Sequence, residues 1–256
     1  MSEPAYNPTE LLICTASRLM EDSTTAFIGT GIPMLAAALA QRQQAPNLVT
    51  VFEFGGTGAI LEDLPLAVGE ARTFHKGLHA SGICDVMEAA QRGFIDYGFL
   101  GGAQVDPYGN LNSTIIGPVH HPPKVRLPGS GGANDVGSFC WQTIIIIRHG
   151  KRSFVPKVDF VTTPGYLTGP GAREAAGLPP STGPLYVVSN LALLGFDGDT
   201  KWMTLLATQP GVTVEQVVAE TGFELIIPDA IGTNAPPSDE ELRILREEVD
   251  RNRFYI

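Results

Sequence analysis

Residues 48–59, LVTVFEFGGTGA, place one carboxylate, Glu53, after a β-branched apolar run and before three glycines, Gly55, Gly56 and Gly58. The run from Leu48 to Phe52 has the composition of a strand buried on both faces, and the glycines read as the turn that ends it. Strands of that kind belong to parallel sheets whose crossovers are helices. An unpaired carboxylate inside such a strand is costly to desolvate, so Glu53 belongs at the strand end. There it is either presented into a cleft whose small neighbours let a ligand approach closely, or it caps the next helix or pairs with an arginine.

Working outward, strand-like runs recur at DYGFLGG (96–102), WQTIIIIR (141–148), VDFVTT (158–163) and LYVVSNLALLGF (185–196). Helical patterns alternate with them. PTELLICTASRLM (8–20) repeats its apolar residues at helical spacing, and GIPMLAAALAQRQQ (31–44) sets Pro33 at the first helical position of an alanine-rich run. SGICDVMEAAQRG (81–93) reads as a helix closed by Gly93. Thr213 with Gln216, and Ser238 with Glu241, are capping boxes that open two further helices. The alternation predicts an α/β fold: an open, mainly parallel sheet flanked by helices. Ligands of such sheets bind at the carboxyl ends of the strands, which singles out three Gly-rich loops, 53–58, 101–114 and 129–135.

The bulk numbers bound the function. With 256 residues, 43% hydrophobic and 17% charged, at mean hydropathy +0.08, the chain is an ordinary globular protein able to bury a sizeable core. A net charge of −10 and a pI near 4.9 argue against a surface for nucleic acid or an anionic membrane, which would want a basic face. Cys14, Cys84 and Cys140 are odd in number and lack C-x-x-C spacing, so they read as reduced thiols of a cytoplasmic protein, with no metal site. The start, MSEPAYNPTE, is polar and acidic, unlike a signal peptide, and no apolar run is long enough to span a bilayer.

In the second loop, DPYGN (106–110) is a turn signature, and a self-bonded turn accounts for Asp106 to Asn110; Gly101, Gly102 and Gln104 are the better candidates for lining a site. In the third, GSGGAND (129–135) can bring successive backbone N–H groups to an anion or oxyanion, but it matches neither a P-loop nor G-x-G-x-x-G. His120 and His121 stand before two prolines without an acidic partner at metal-ligand spacing, and His75 and His79 lack an H-E-x-x-H context, so all four read as structural. Arg148, Lys151 and Arg152, in RHGKR (148–152), read as a solvated hairpin tip. No G-x-S-x-G elbow is present.

Taken in order, FIGTGIPML (27–35), VFEFGG (51–56), FLGGAQVDPYGNLNST (99–114), HHPP (120–123), GSGGAND, KRSFVPKVDFVTTPG (151–165), GPGAREAAGLP (169–179) and QPGVTVEQVVAETGF (209–223) carry a family resemblance over nearly the whole chain. The sequence resembles the β subunit of family I CoA-transferases, in the glutaconate CoA-transferase-like pattern. The resemblance implies a single β-subunit domain over 1–256 that moves CoA between carboxylic acids. It implies that Glu53 attacks an acyl-CoA thioester and passes through an acyl-glutamyl anhydride to a covalent glutamyl-CoA thioester. Gly131, Gly132 and Ala133 would match the family's Gly-Gly-Ala loop, and Gly101, Gly102 and Gln104 its other active-site loop, as CoA, acyl or oxyanion contacts. Coenzyme A would be a substrate, with no permanently bound cofactor. An α subunit of the same fold would complete the enzyme, and RHGKR has contact with a partner chain or the CoA phosphates as its minority reading. One departure stands out: family members usually have a small or polar residue after the glutamate, and here it is Phe54. The alternatives are an acyl-CoA hydrolase or a decarboxylase/lyase on the same scaffold, or a silent CoA-binding subunit, against which the intact Glu53 and glycine loops count.

Overall fold

The structure is a computed structural model and describes residues 5–118 and 122–256, so His120 and His121 lie outside the described residues. In the first part of the chain come α1 (Pro8–Ser17), β1 (Thr25–Phe27), α2 (Ile32–Gln41), β2 (Val49–Val51), β3 (Gly56–Thr57), β4 (His79–Ala80), α3 (Ile83–Gln91) and β5 (Tyr97–Leu100). Next are β6 (Gln104–Val105), β7 (Leu111–Asn112), β8 (Ile115–Ile116), β9 (Val125–Arg126), α4 (Ala133–Phe139), β10 (Gln142–Ile146) and α5 (Ala172–Ala175). The last elements are β11 (Gly183–Val188), β12 (Ala192–Phe196), β13 (Met203–Thr208), α6 (Val214–Glu220), β14 (Gly232–Thr233) and α7 (Asp239–Ile244). They fall into two compact units: residues 1–99 with 235–256, and residues 100–234.

The first unit carries strands in the order β5-β1-β2-β3-β4. β1 is parallel to both β5 and β2, whereas β3 and β4 add antiparallel at the edge. Its core helix is α2, in which Met34 to Ala40 are all fully buried; a helix apolar on every side has no solvent face to present. Pro33 is the second residue of α2, one place later than the sequence pattern set it. α1 begins with a capping box in which Asn7 accepts from the N–H groups of Thr9 and Glu10 while Glu10 accepts from Asn7 N–H. The chain end is fastened to α1: Arg246 donates to Glu10 at 2.6 and 2.9 Å, and Arg18 donates to Glu241 at 2.7 and 2.5 Å. Gly93, at φ +81°, closes α3 as expected.

The second unit carries β14-β13-β12-β11-β10. β10 and β11 are parallel, β12 and β13 antiparallel additions, and β14 parallel to β13. Three expectations from the sequence fail in this unit. LYVVSNLALLGF is two antiparallel strands, because Ser189 Oγ accepts from the N–H groups of Leu191 and Ala192 and turns the chain between β11 and β12. VDFVTT forms no strand; apart from a bridge between Thr163 and Leu111, its polar groups are taken up by loops, with Thr162 Oγ1 accepting from Ser113 N–H and Asp159 from Gly117 N–H. RHGKR is a turn, with Ser153 and Phe154 N–H donating to Gly150 O, but not a hairpin tip: the chain goes on to a parallel bridge between Phe154 and Val105.

Charge is distributed unevenly. Every ion pair among the described residues joins side chains of the first unit. The exposed cations of the second, among them Arg148, Lys151, Arg152 and Lys157, have no carboxylate partner among the described residues. Cys14, Cys84 and Cys140 form no disulfide, and no helix among the described residues is long and apolar enough to cross a membrane.

Candidate active site

In the first unit, β2 and β3 form a hairpin with Val51 opposite Thr57, and Glu53 and Phe54 occupy its tip. The tip is tied by Phe52 N–H to Gly56 O at 2.8 Å and Gly55 N–H to Phe52 O at 3.0 Å. The glycines are required. At Gly55 (φ +109°) a Cβ would overlap the Ser81 carbonyl, and Ser81 cannot shift freely because its N–H donates to Gly55 O. At Gly56 a Cβ would overlap Thr73 O. The strand end is therefore held from behind, and Glu53 is half-buried on its solvent side.

Neither structural role foreseen for Glu53 is observed. Among the described residues its carboxylate has no ion pair and no hydrogen bond; it neither caps a helix nor meets an arginine. Phe54 beside it is half exposed, and its ring lies over Gly69, where a Cβ would come within 3.2 Å of Cγ. The tip thus presents an acid next to a broad apolar ring.

The other expected site residues lie in the second unit. Gly101 follows β5 directly, with Ile146 O 3.3 Å from where its Cβ would be, and Gly102 sits 3.1 Å by the same measure from Asn112 O. Gln104 is buried and its amide is engaged at both ends: Oε1 accepts from Asn112 Nδ2 at 2.7 Å and Asp159 N–H at 3.0 Å, and Nε2 donates to Asp159 at 3.2 Å. Its side chain thus fixes the loop from beneath. The DPYGN turn is self-bonded as read: Asp106 Oδ1 accepts from the N–H groups of Tyr108 and Asn110, and Asn110 Nδ2 reaches both carboxylate oxygens. Burial raises the Asp106 carboxyl above its usual range, against the pull of those donors.

Gly131, Gly132 and Ala133 lead into α4. Ala133 N–H donates to Ser130 O, while those of Gly131 and Gly132 donate to nothing among the described residues and face an exposed loop. The two glycine loops are brought together: Gly129 N–H donates to Ser113 O, Ser113 Oγ donates to Gly129 O, and Leu127 N–H donates to Thr114 O. Sequence reasoning assigns no role to Ser113 or Arg173, yet both position this loop. Arg173, almost fully buried, donates from Nη2 to Gly137 O and Ser138 O in the last turn of α4, and from Nη1 to Pro164 O and Gly165 O. The motif GPGAREAAGLP is its only sequence signal.

The first unit, taken by itself, presents an acid of the kind that attacks an acyl group, and the second, taken by itself, glycine loops with two N–H groups unengaged among the described residues, of the kind that meet an oxyanion; each is a device of acyl transfer. The relatives agree with that class. Residues 9–220 match the family described as Coenzyme A transferase, and the chain belongs to that family. It is 37% identical to the B subunit of glutaconate CoA-transferase from Acidaminococcus fermentans, over 98% of this chain and 95% of that one. It is 34% identical to the B subunit of 3-oxoadipate CoA-transferase from Pseudomonas knackmussii, over 94% and 93%. The crystal structure of glutaconate coenzyme A-transferase from Acidaminococcus fermentans superposes with a TM-score of 0.93 at 35% identity, covering 98% of each chain. The open, mainly parallel sheet with flanking helices is that architecture, and the chain corresponds to the B subunit of a CoA-transferase.

Proposed function

We propose that Glu53 is the covalent nucleophile of a CoA-transferase whose other half is an α subunit, the two together moving CoA between carboxylic acids. The observation that carries this is the Glu53 carboxylate itself, held at the hairpin tip by Gly55 and Gly56 and without any partner among the described residues. A carboxylate is ionised near neutral pH and attacks an activated carbonyl without a general base. Its oxygen adds to the acyl-CoA thioester carbonyl; the tetrahedral intermediate collapses to an acyl-glutamyl anhydride and CoA thiolate. The thiolate attacks the glutamyl carbonyl, releasing the donor acid and leaving a glutamyl-CoA thioester. The acceptor acid runs the same steps in reverse, so atoms and charge balance without any further reactant.

The unengaged N–H groups of Gly131 and Gly132 are the proposed donors to the developing oxyanion, worth about 3–4 kcal/mol of barrier each when well placed. Gly101 and Gly102 give close access to CoA or the acyl chain, and Gln104 and Ala133 complete the two loops. Phe54 makes one wall of the acyl site apolar and broad. We read the chain as one β-subunit domain, since one family match runs from residue 9 to 220 across both compact units, and as cytoplasmic, in keeping with three cysteines that form no disulfide. The first substrates to try are dicarboxylic and oxodicarboxylic acids, for which the relatives are named.

The test is intact mass of this chain, assembled with its α subunit and incubated with a panel of acyl-CoAs, with and without borohydride reduction. A CoA adduct mapped to Glu53, with loss of roughly 10³-fold or more in turnover in Glu53→Gln, is the expected result. A fully active Glu53→Gln complex would falsify the assignment. Acyl-CoA consumption without any acceptor acid and without an adduct would establish the hydrolase or lyase reading instead.

A further inference from the structure

Besides bracing α4 through Arg173, the segment Gly169–Thr182 walls a cavity of about 350 Å³ in the second unit, shared by Tyr166, Arg173, Glu174, Ser181, Thr182 and Lys201. That volume suits a small ligand. The charge lining it is unusual. Arg173 is 2% exposed and has no carboxylate partner: its Nη atoms donate to four backbone carbonyls and to Thr182 Oγ1, and Nε has no partner among the described residues. A guanidinium cannot shed its proton in a protein, so this buried charge is permanent, met at close range by carbonyl dipoles and the Thr182 hydroxyl, with Glu174 as the acid in electrostatic reach.

Lys201 adds a second cation. It is held in place by its own turn, at φ +60°, with Nζ donating to Gly198 O at 2.7 Å and lying 5.5 Å from the centroid of the Tyr166 ring. An ammonium has three donors, so others remain for a ligand, and no carboxylate pairs with it among the described residues. Tyr166 cannot rotate freely, because its hydroxyl donates to Pro184 O at 2.9 Å. Ser181 Oγ makes no hydrogen bond among the described residues. The one acid on the wall is Glu174, which is exposed and ion-paired with nothing among the described residues. On the wall two cations stand against one exposed carboxylate, and Asp197, in the turn that carries Lys201, is a further acid within electrostatic reach of it.

We propose that this cavity is a binding site for a compact oxyanion, a phosphate or carboxylate group, which sits against Lys201 and Ser181 above the buried Arg173 charge. The site stands on its own residues and does not depend on the role of Glu53. The test uses the complex with the α subunit, titrated with inorganic phosphate and separately with glutarate, against sodium chloride at matched ionic strength, with heat of binding and melting temperature as readouts. Saturable binding of at least one oxyanion is expected, weakened tenfold or more in Lys201→Met and strengthened in Glu174→Gln, with the unliganded melting temperature of both variants near that of the parent. Should Lys201→Met fold poorly, Ser181→Ala serves, with a several-fold weakening. Competition between phosphate and CoA would show that the oxyanion arrives on CoA, whereas independent binding would show a free anion; either supports the site. A response no larger than that to chloride, or binding unchanged in both Lys201→Met and Ser181→Ala, overturns it.

Discussion

Replacing Gly137 by alanine puts two opposing effects in one methyl group. Gly137 lies in α4, where alanine is favoured over glycine by about 1 kcal/mol from backbone entropy alone. Here a Cβ would approach Thr163 Cγ2 closer than 3.0 Å, a separation real Cβ atoms essentially never show. Thr163 cannot give way easily. It is buried, β-branched and fastened to Leu111 by N–H and carbonyl bonds of 3.1 and 3.0 Å. Overpacking a site that cannot relax costs about 3 kcal/mol, at the upper end of the usual range. The net loss is about 2 kcal/mol, or a fall of roughly 4–8 °C in melting temperature for a chain of this size. Thr163→Ser removes the obstructing methyl, after which the nearest atoms, Pro164 O at 3.5 Å and Leu100 Cδ1 at 3.6 Å, are ordinary contacts. Thr163→Ser alone costs about 1 kcal/mol for its lost methyl. The double variant then stays near parental stability rather than losing the roughly 3 kcal/mol that addition gives, a coupling of about 3 kcal/mol in a double-mutant cycle. Urea and thermal denaturation of the four proteins measure it. Gly137→Ala at parental stability, or a coupling below about 0.5 kcal/mol, refutes the packing of α4 on Thr163.

Two further predictions concern acid. His149 is buried and stacked on Phe154 at 3.8 Å, with Ser189 and Thr221 hydroxyls on its two nitrogens and no carboxylate, and burial pushes its pKa down to about 4. The unfolded chain takes the proton near pH 6.5, so its contribution is complete above that pH and is lost as pH falls from 6.5 to about 4, by about 3 kcal/mol in all. His149→Gln should flatten the stability profile across that window in urea titrations; a gap from parent that stays constant with pH would count against it. Glu10 feels burial first, which raises its carboxyl, but the hydrogen bonds from Arg246 and Asn7 outweigh it and leave the pKa below the ordinary 4.5. Its contribution is therefore present above 4.5 and lost as pH falls through the lowered value, and Glu10→Gln should cost about 1.5–3 kcal/mol at pH 7. Measured next to Arg246→Met, the two losses should be far from additive; additivity would mean that the chain end is not clamped to α1.

Signals confined to a few neighbouring residues are legible in the sequence. Thr213 with Gln216, Ser238 with Glu241, the DPYGN turn and Gly93 each complete their geometry within four residues, and each takes the form its residues predict. What the backbone does with distant partners is not legible. VDFVTT has strand composition, but its groups serve loops some fifty residues away in the chain, as with Gln104 and Asp159. The glycines of GSGGANDVG hide α4, since its packing on Thr163 is what demands Gly137. The WMTLLATQ stretch that forms β13 carries no strand signal of its own strength, because its pairing with β12 and β14 makes it a strand. Of the candidate site, Glu53 and its glycines can be placed at a strand end from composition alone. Their fixation by Ser81 and Thr73, some twenty residues on, cannot.

The uneven placement of ion pairs decides where mutagenesis is informative. Reversing a paired charge of the first unit, as in Arg18–Glu241, breaks the pair, so lost activity from such a change is confounded with lost folding. Reversing Arg148, Lys151, Arg152 or Lys157 breaks no ion pair among the described residues. A charge scan of these exposed cations therefore reads ligand and partner contacts against a nearly flat folding background, which makes them the natural positions at which to map what the protein touches.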